Sequence, residues 1–309
     1  MSPVAEGGSP EGALAALAAL PPLSQTLSRH GLLADKRLGQ HFLFDLNICR
    51  KIVRLSGLMV GDVAIEVGPG PGGLTRALLE AGAEVLAIEK DPRFAPVLAE
   101  LAQVSDGRLR VMHADALAVD EAAALSEAGL AGPARIIANL PYNVGTPLFA
   151  KWVAGAFRPK SMTLMFQAEV AERIVAEPGA KHYGRLAVLA QATTTPRRVM
   201  DLPASAFTPP PKVRSAVINA IPLADRPDAA TLQALQQVTA AAFGQRRKKL
   251  RSSLARIGGV ALIAAAGIDP DVRAETVPVE GFLSLARCWL AAQSEPLRSI
   301  TSMRASPTG

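Results

Sequence analysis

Cysteine is nearly absent from this chain: Cys49 and Cys288, far apart, are the only two in 309 residues. Neither a disulfide framework nor a paired metal-ligand spacing such as C-x-x-C can be written from them, so no metal is expected and a reducing cytoplasm is the natural compartment. Aromatic residues make up only 4%, which excludes a broad stacking surface. A membrane-length apolar run is missing too. The run at 13–23 is too short to span a bilayer, follows Glu6 and Glu11 where a leader would carry basic residues, and is broken by Pro21 and Pro22. It reads as a short helix behind a loose Gly/Ser/Pro-rich tip, and no membrane partner is expected. Nor is there a one-sided charge: 33 Lys and Arg stand against 27 Asp and Glu, giving +6 and a pI near 9.6. That balance leans toward a polyanionic partner without requiring one.

What is present is apolar material, 49% against 19% charged, enough for one substantial core and a smaller one. After Pro22 a basic, helical lead-in runs to Leu38, followed by the turn Gly39-Gln40-His41-Phe42-Leu43 and a helical pattern through Ile48, Ile52 and Val53. Four apolar runs at 63–67, 85–88, 109–112 and 136–138 read as buried strands, with helices at 74–80 and 94–102 between them. Such alternation implies a parallel sheet covered on both faces, with ligands outside the carboxyl ends of the strands. A fifth strand fits 162–166, and a helix from Ala168 carries Glu169, Glu172 and Arg173 on its polar side. Segments 197–202 and 213–221 read as a closing antiparallel pair at a sheet edge, joined by the stiff Phe207-Thr208-Pro209-Pro210-Pro211. Past Arg226-Pro227 helical periodicity takes over from 232 to 290. The expected organisation is a flexible tip and short helix at 1–28, the sheet domain at 29–224, a small all-helical domain at 225–295 and a flexible tail at 296–309. No internal repeat is visible.

The segment Glu66-Val67-Gly68-Pro69-Gly70-Pro71-Gly72-Gly73-Leu74-Thr75 joins the first strand to the first helix. Glycines there let the backbone turn tightly and approach a ligand. Gly68, Gly70 and Gly73 also satisfy the dinucleotide fingerprint, and Glu89 follows at the spacing of a ribose-binding acid, so a nicotinamide-dependent dehydrogenase stays open at this point. Asp115, after the third strand, is either a turn former or an acceptor for an adenine amino group. Asn139-Leu140-Pro141-Tyr142 directly follows the fourth strand, and no hydride-transfer cofactor needs it.

An adenine amino nitrogen is a poor nucleophile because its lone pair is delocalised into the ring. Methyl transfer from a sulfonium requires that the amine be held in line and its hydrogens drawn toward acceptors. The Asn139 side-chain carbonyl and the Leu140 main-chain carbonyl supply two acceptors, Pro141 stiffens the turn, and Tyr142 can stack on the ring. No strong base is needed, since the proton becomes acidic once nitrogen carries the methyl.

With these motifs the chain resembles the small-subunit ribosomal RNA adenine dimethyltransferases. The resemblance runs from about Asp35 to about Leu254. It rests on Gly39 to Leu43, the glycine loop, Glu89, Asp115, Asn139 to Tyr142, Phe166 to Arg173, Phe207 to Val213 and Phe243-Gly244-Gln245-Arg246-Arg247-Lys248. It implies a Rossmann-like class I S-adenosylmethionine-dependent methyltransferase sheet with a small C-terminal all-helical domain. It also implies S-adenosyl-L-methionine held by His41, Leu43, Gly68, Gly70, Glu89, Asp115 and Asn139, with Phe207 stacking on a flipped adenine opposite Tyr142. Family members usually carry Asn where this chain has His41; that residue is either a cofactor contact or a turn histidine facing solvent. The target implied is a pair of adjacent adenosines in a 3′-terminal hairpin loop of 16S ribosomal RNA, dimethylated on N6 in the immature 30S subunit by a monomer.

A base inside a helix is inaccessible to such chemistry, so an unpaired or extruded adenosine is required. The run Arg246, Arg247, Lys248, Lys249 and Arg251 is the densest positive segment and is either an RNA-docking track or a solvated helix face. Arg135, Arg173, Arg185, Lys212 and Arg214 are candidates to extend it. Competing readings are a 23S rRNA adenine N6-methyltransferase of the antibiotic-resistance type, the dehydrogenase, and a non-catalytic ribosome assembly factor.

Overall fold

A computed structural model describes residues 10–34, 40–245 and 247–302. The chain divides into two compact units. The first comprises residues up to Trp152, Phe157–Ala171 and Arg197–Pro222; the second comprises Val153–Ala156, Glu172–Pro196 and the chain from Leu223 onward.

The first unit is built on a seven-stranded sheet. Its strands are β2 (Val63–Val67), β3 (Glu84–Glu89), β4 (Leu109–His113), β5 (Arg135–Asn139), β6 (Ser161–Gln167), β7 (Thr194–Leu202) and β9 (Ser215–Pro222), in the order β4-β3-β2-β5-β6-β9-β7. Pairings from β4 to β6 are all parallel, and β9 runs antiparallel to β6, with Met165 opposite Val217. Every residue of β2 is buried; continuous Val, Ala and Ile runs of this kind arise where helices cover both faces. The covering helices include α3 (Leu46–Leu55), α4 (Gly73–Glu80), α5 (Ala95–Gln103), α6 (Glu121–Glu127) and α7 (Gly145–Ala154). Caps start some of them: Asp45 accepts from the Asn47 backbone N–H ahead of α3, and Asp120 from those of Ala122 and Ala123 ahead of α6. Strand addition reverses direction between β2 and β5, so the switch point lies between Val67 and Asn139.

The N-terminal segment forms the expected short helix, α1 (Pro10–Ala18), and a second, α2 (Leu23–Arg29), in the lead-in, while the tip at 1–9 lies outside the described residues. Pro21 and Pro22 break the run, while Leu17 joins the core cluster of α4 and Arg76 Nη1 donates to the Pro21 carbonyl at 2.8 Å. In the lead-in the helix ends at Arg29 and 30–34 are not helical, while 35–38 and Gly39 lie outside the described residues. One feature differs from expectation: the turn at 40–43 contains a short strand, β1 (Phe42–Leu43), paired antiparallel with β8 (Phe207–Thr208), Leu43 facing Phe207. The proline-rich connection therefore carries a strand of its own.

The second unit is helical and larger than the 225–295 expected. Its helices include α9 (Arg185–Gln191), α10 (Ala229–Phe243), α11 (Leu250–Ser253), α12 (Gly259–Ala265) and α13 (Val279–Ser302). Residues 172–196 belong to it because Tyr183, Ala187 and Val188 are fully buried in the cluster that also holds Val238 and Phe282. Tyr183 meets its polar requirement there by donating to the Val277 carbonyl at 2.9 Å. The expected tail at 296–309 begins inside α13, which runs to Ser302; residues 303–309 lie outside the described residues. No helix among the described residues is long and apolar enough to cross a membrane.

Candidate active site

A groove opens at the carboxyl ends of β2, β3 and β5, the place where doubly wound sheets hold ligands. Two adjoining cavities form it and share Gln40, Gly68, Glu89 and Pro141 in their walls. One is completed by His41, Leu43, Glu66, Gly70, Asn139, Leu140 and Tyr142, the other by Asp91, Asp115 and Asn143.

Its floor is the turn after β2. Gly68 has φ +70° and a Cβ there would lie 3.5 Å from Pro141 Cδ, so two motifs far apart in the chain meet backbone to ring. Gly73 opens α4, and a Cβ on it would stand 2.8 Å from the Leu43 carbonyl oxygen, closer than packing allows. That approach sets His41, Phe42 and Leu43 against the glycine turn.

Glu89 ends β3 and is buried. Its Oε2 accepts the Gly70 backbone N–H at 3.0 Å and its Oε1 that of Asp91 at 2.8 Å. Burial pushes its pKa up, against these backbone bonds. Each oxygen keeps acceptor capacity for a hydroxyl. Asp115 takes up the turn-forming arrangement, Oδ1 accepting from the Leu117 N–H at 3.0 Å, while Oδ2 pairs with Lys90 at 2.7 Å. Lys90 chiefly holds its carboxyl below the ordinary range.

Asn139 ends β5. Its Nδ2 donates to the His41 carbonyl at 3.2 Å, which leaves Oδ1 as the free-facing acceptor of the amide. Leu140 is buried, and the Pro141 carbonyl accepts from Val144 and Gly145 at the start of α7. Tyr142 hydroxyl and Ser215 Oγ are 2.6 Å apart, so the phenol is fixed at its far end while its ring lies 5.3 Å from that of His41. His41 is not a solvent-facing turn residue. Its Nδ1 lies 2.7 Å from the Pro209 carbonyl, which can only accept, so Nδ1 carries the hydrogen and Nε2 is the acceptor of the neutral ring.

Phe207, expected opposite Tyr142, is 3% exposed and belongs to the core cluster that also holds Leu43, Met165, Leu202 and Val217. Strand β8 turns it inward because its neighbour Thr208 takes the outer position, and burial of a phenyl ring in a core is worth more than an open contact. Sequence reasoning also missed three groups. Asp91 accepts from Gln40 Nε2 at 2.9 Å and is held down to about 2, mainly by Arg93. Ser215 and the Pro209 carbonyl complete the list. Asp91-Pro92 is a cap signal that was legible; the other two meet their partners only through the fold.

Among the described residues no group of three or more His, Cys, Asp or Glu is arranged to hold a metal ion. In the helical unit Arg247, Lys248, Lys249 and Arg251 are exposed, and Arg246 lies outside the described residues. Lys249 and Arg251 pair with Asp271 at 3.5 and 2.9 Å. Arg247, Lys248 and Lys249 lie in the connection between α10 and α11, bridged at Lys249 to Arg273, while Arg251 is in α11. Arg135 is withdrawn from any track: its Nε binds Asp62 at 2.8 Å and it is 11% exposed.

The architecture is that of the Rossmann-like class I S-adenosylmethionine-dependent methyltransferases. The fold is shared with a dimethyladenosine transferase from Plasmodium falciparum (TM-score 0.64, 23% identity, 79% of this chain and 96% of that one). It is shared equally with the 23S rRNA methyltransferase ErmE (TM-score 0.61, 24% identity, 80% and 99%). Within that class the chain belongs to the ribosomal RNA adenine dimethylase family, whose sequence model matches residues 31–290. Similar proteins include the ribosomal RNA small subunit methyltransferases A of Phenylobacterium zucineum, 61% identical over 91% of this chain and 96% of that one, and of Agrobacterium fabrum, 54% identical over 89% and 100%. With the family come the enzyme class and the methyl donor, S-adenosyl-L-methionine.

The groove fits that donor. Glycines at Gly68 and Gly70 leave open a wall that side chains would fill, the Glu89 carboxylate suits ribose hydroxyls, and Glu66, a residue of the same wall, has a buried carboxyl oxygen without a partner.

Proposed function

We propose that the protein dimethylates N6 of two adjacent adenosines in a 3′-terminal hairpin loop of 16S ribosomal RNA, acting as a monomer on the immature 30S subunit in the cytoplasm. The observation that carries this reading is the Asn139 amide, anchored by nitrogen to the His41 carbonyl with its oxygen left to accept, in a groove continuous with Glu89. The small-subunit names of relatives at 61% and 54% identity favour this subunit over the large one.

When bound, S-adenosyl-L-methionine supplies a methyl group made electrophilic by its sulfonium. Glu89 binds ribose hydroxyls, Asp115 accepts from the adenine amino group of the donor, and Gly68, Gly70, Leu43 and His41 line the remainder. At the target base, Asn139 Oδ1 and the Leu140 carbonyl accept the two amino hydrogens and return electron density to nitrogen. Tyr142, restrained by Ser215, presents its ring to the base plane. The proton lost from nitrogen passes to solvent after transfer, so alignment and hydrogen bonding carry the catalysis. Arg247 and Lys248 dock the RNA by phosphate contacts.

Methyl transfer from labelled donor to unmethylated small-subunit particles, with large-subunit RNA in parallel and mass spectrometry of the nucleosides, tests the reading. Dimethyladenosine in the small-subunit RNA alone is expected. Modification of large-subunit RNA instead would overturn the substrate assignment.

A further inference from the structure

Glu66, the last but one residue of β2, is 2% exposed, lines the groove beside Gly68 and Asn139, and has an oxygen, Oε2, without a hydrogen-bond partner. An ionised carboxylate so placed is stripped of most of its water with one oxygen unpaired, a costly condition for a charge. The groups around it do not compensate fully. The Thr75 hydroxyl on α4 favours the charged form, but less than burial disfavours it; Glu89 on β3 opposes a second negative charge, and the Cys49 thiol on α3, pushed up to about 12 by burial, brings no positive one. The nearby cations are directed elsewhere: Arg50 on α3 to Glu80, Arg76 on α4 to the Pro21 carbonyl, and Arg135 on β5 to Asp62. His41, across the groove, donates to Pro209. Burial accordingly pushes the Glu66 carboxyl up to about 8, against the Thr75 hydroxyl and with Glu89 adding to it.

We propose that Glu66 reads charge in the groove: the ligand-free protein holds it as the neutral acid, and seating the cationic methyl donor expels its proton to solvent. The inference rests on the groove being the S-adenosyl-L-methionine site. No covalent bond changes; one proton leaves the carboxyl for solvent, and the donor, which carries one more positive charge than S-adenosylhomocysteine, would offset the carboxylate charge that remains. Once the methyl has been transferred, S-adenosylhomocysteine has no sulfonium, the carboxylate regains its proton, and the spent product is held less firmly. For an enzyme that must exchange cofactor between successive transfers, this is a device for turnover.

Titration calorimetry at pH 7 in buffers of differing ionisation enthalpy reads the proton count directly. The native protein is expected to release about one proton with S-adenosyl-L-methionine and clearly less with S-adenosylhomocysteine. Glu66→Gln, which copies the neutral acid, is expected to release none, with donor affinity down roughly tenfold and product affinity within about twofold. Binding heat with the same proton count in Glu66→Gln overturns the proposal while leaving the cofactor site standing; equal release with both ligands overturns the sulfonium as the charge that is read. Absence of any binding heat removes the cofactor site and the proposal with it. A second readout uses ligand-free protein. A carboxyl whose folded pKa is raised stabilises the fold fully below its unfolded value near 4.5, and that contribution is lost as pH rises toward about 8. The melting temperature of the native protein should fall across this window relative to Glu66→Gln, and parallel profiles count against the proposal.

Discussion

At Asn139 the two ends of one side chain have different tasks, the nitrogen bound to the His41 carbonyl at 3.2 Å and the oxygen available to a substrate hydrogen. Replacement by Ala removes both. Methyl transfer by Asn139→Ala should fall about 10²- to 10³-fold, the loss seen when one oriented transition-state hydrogen-bond partner is deleted. Donor affinity measured by calorimetry should change far less; retained transfer would refute the acceptor role. The residue types at strand ends were legible because the chemistry of an adenine amine dictates them. Their partners were not. Ser215 lies 73 positions from Tyr142, Asp91 lies 51 from Gln40, and Pro209 lies 168 from His41, separations that no local pattern encodes.

The elements around the groove are held by the β1 and β8 pair, which brings the His41 segment to the proline-rich connection. Phe207 anchors that pair from the core. Phe207→Ala should therefore lower stability by about 3–5 kcal/mol, the cost of emptying a buried phenyl site. Its melting temperature should drop, while RNA affinity per folded molecule stays near native; an intact melting temperature with selective loss of base binding would restore the stacking role. The parallel strands were readable as apolar runs with glycine or polar ends. β1 and β8 were not, because two-residue strands carry no periodicity.

For the molecule as a whole, charge acts in two separate ways. In the sheet unit Asp62 accepts from Arg135 Nε and Lys160 Nζ, both at 2.8 Å, and from the Met59 N–H at 3.0 Å. Burial would raise its carboxyl, but Lys160 and Arg135 prevail and hold it well below the ordinary range. A depressed folded pKa gives stability present above the unfolded value near 3.8 and lost on acidification below it. Asp62→Asn should cost about 1–3 kcal/mol at pH 7 in denaturant unfolding. The difference from native protein should shrink as pH drops below about 4; a constant difference would exclude the ionic role. In the helical unit, replacing Arg247 and Lys248 by Gln should weaken RNA binding at all sequences and flatten the salt dependence of log K by about 1 per lost phosphate contact. An unchanged slope would remove them from the interface.

Composition and periodicity alone determined a parallel α/β sheet followed by helices, since burial on both faces demands continuous apolar strands and a helical core demands its own repeat. The glycine turn, the acids after it and the Asn-Leu-Pro-Tyr turn were likewise determined locally, because backbone geometry and amine chemistry act over a few residues. Only the tertiary structure decided that residues 172–196 belong with the C-terminal helices, that Phe207 is core, and that Glu66 is a buried acid with one oxygen unpaired. Each of these depends on which distant side chains exclude water from a given atom, and that is a property of packing in three dimensions.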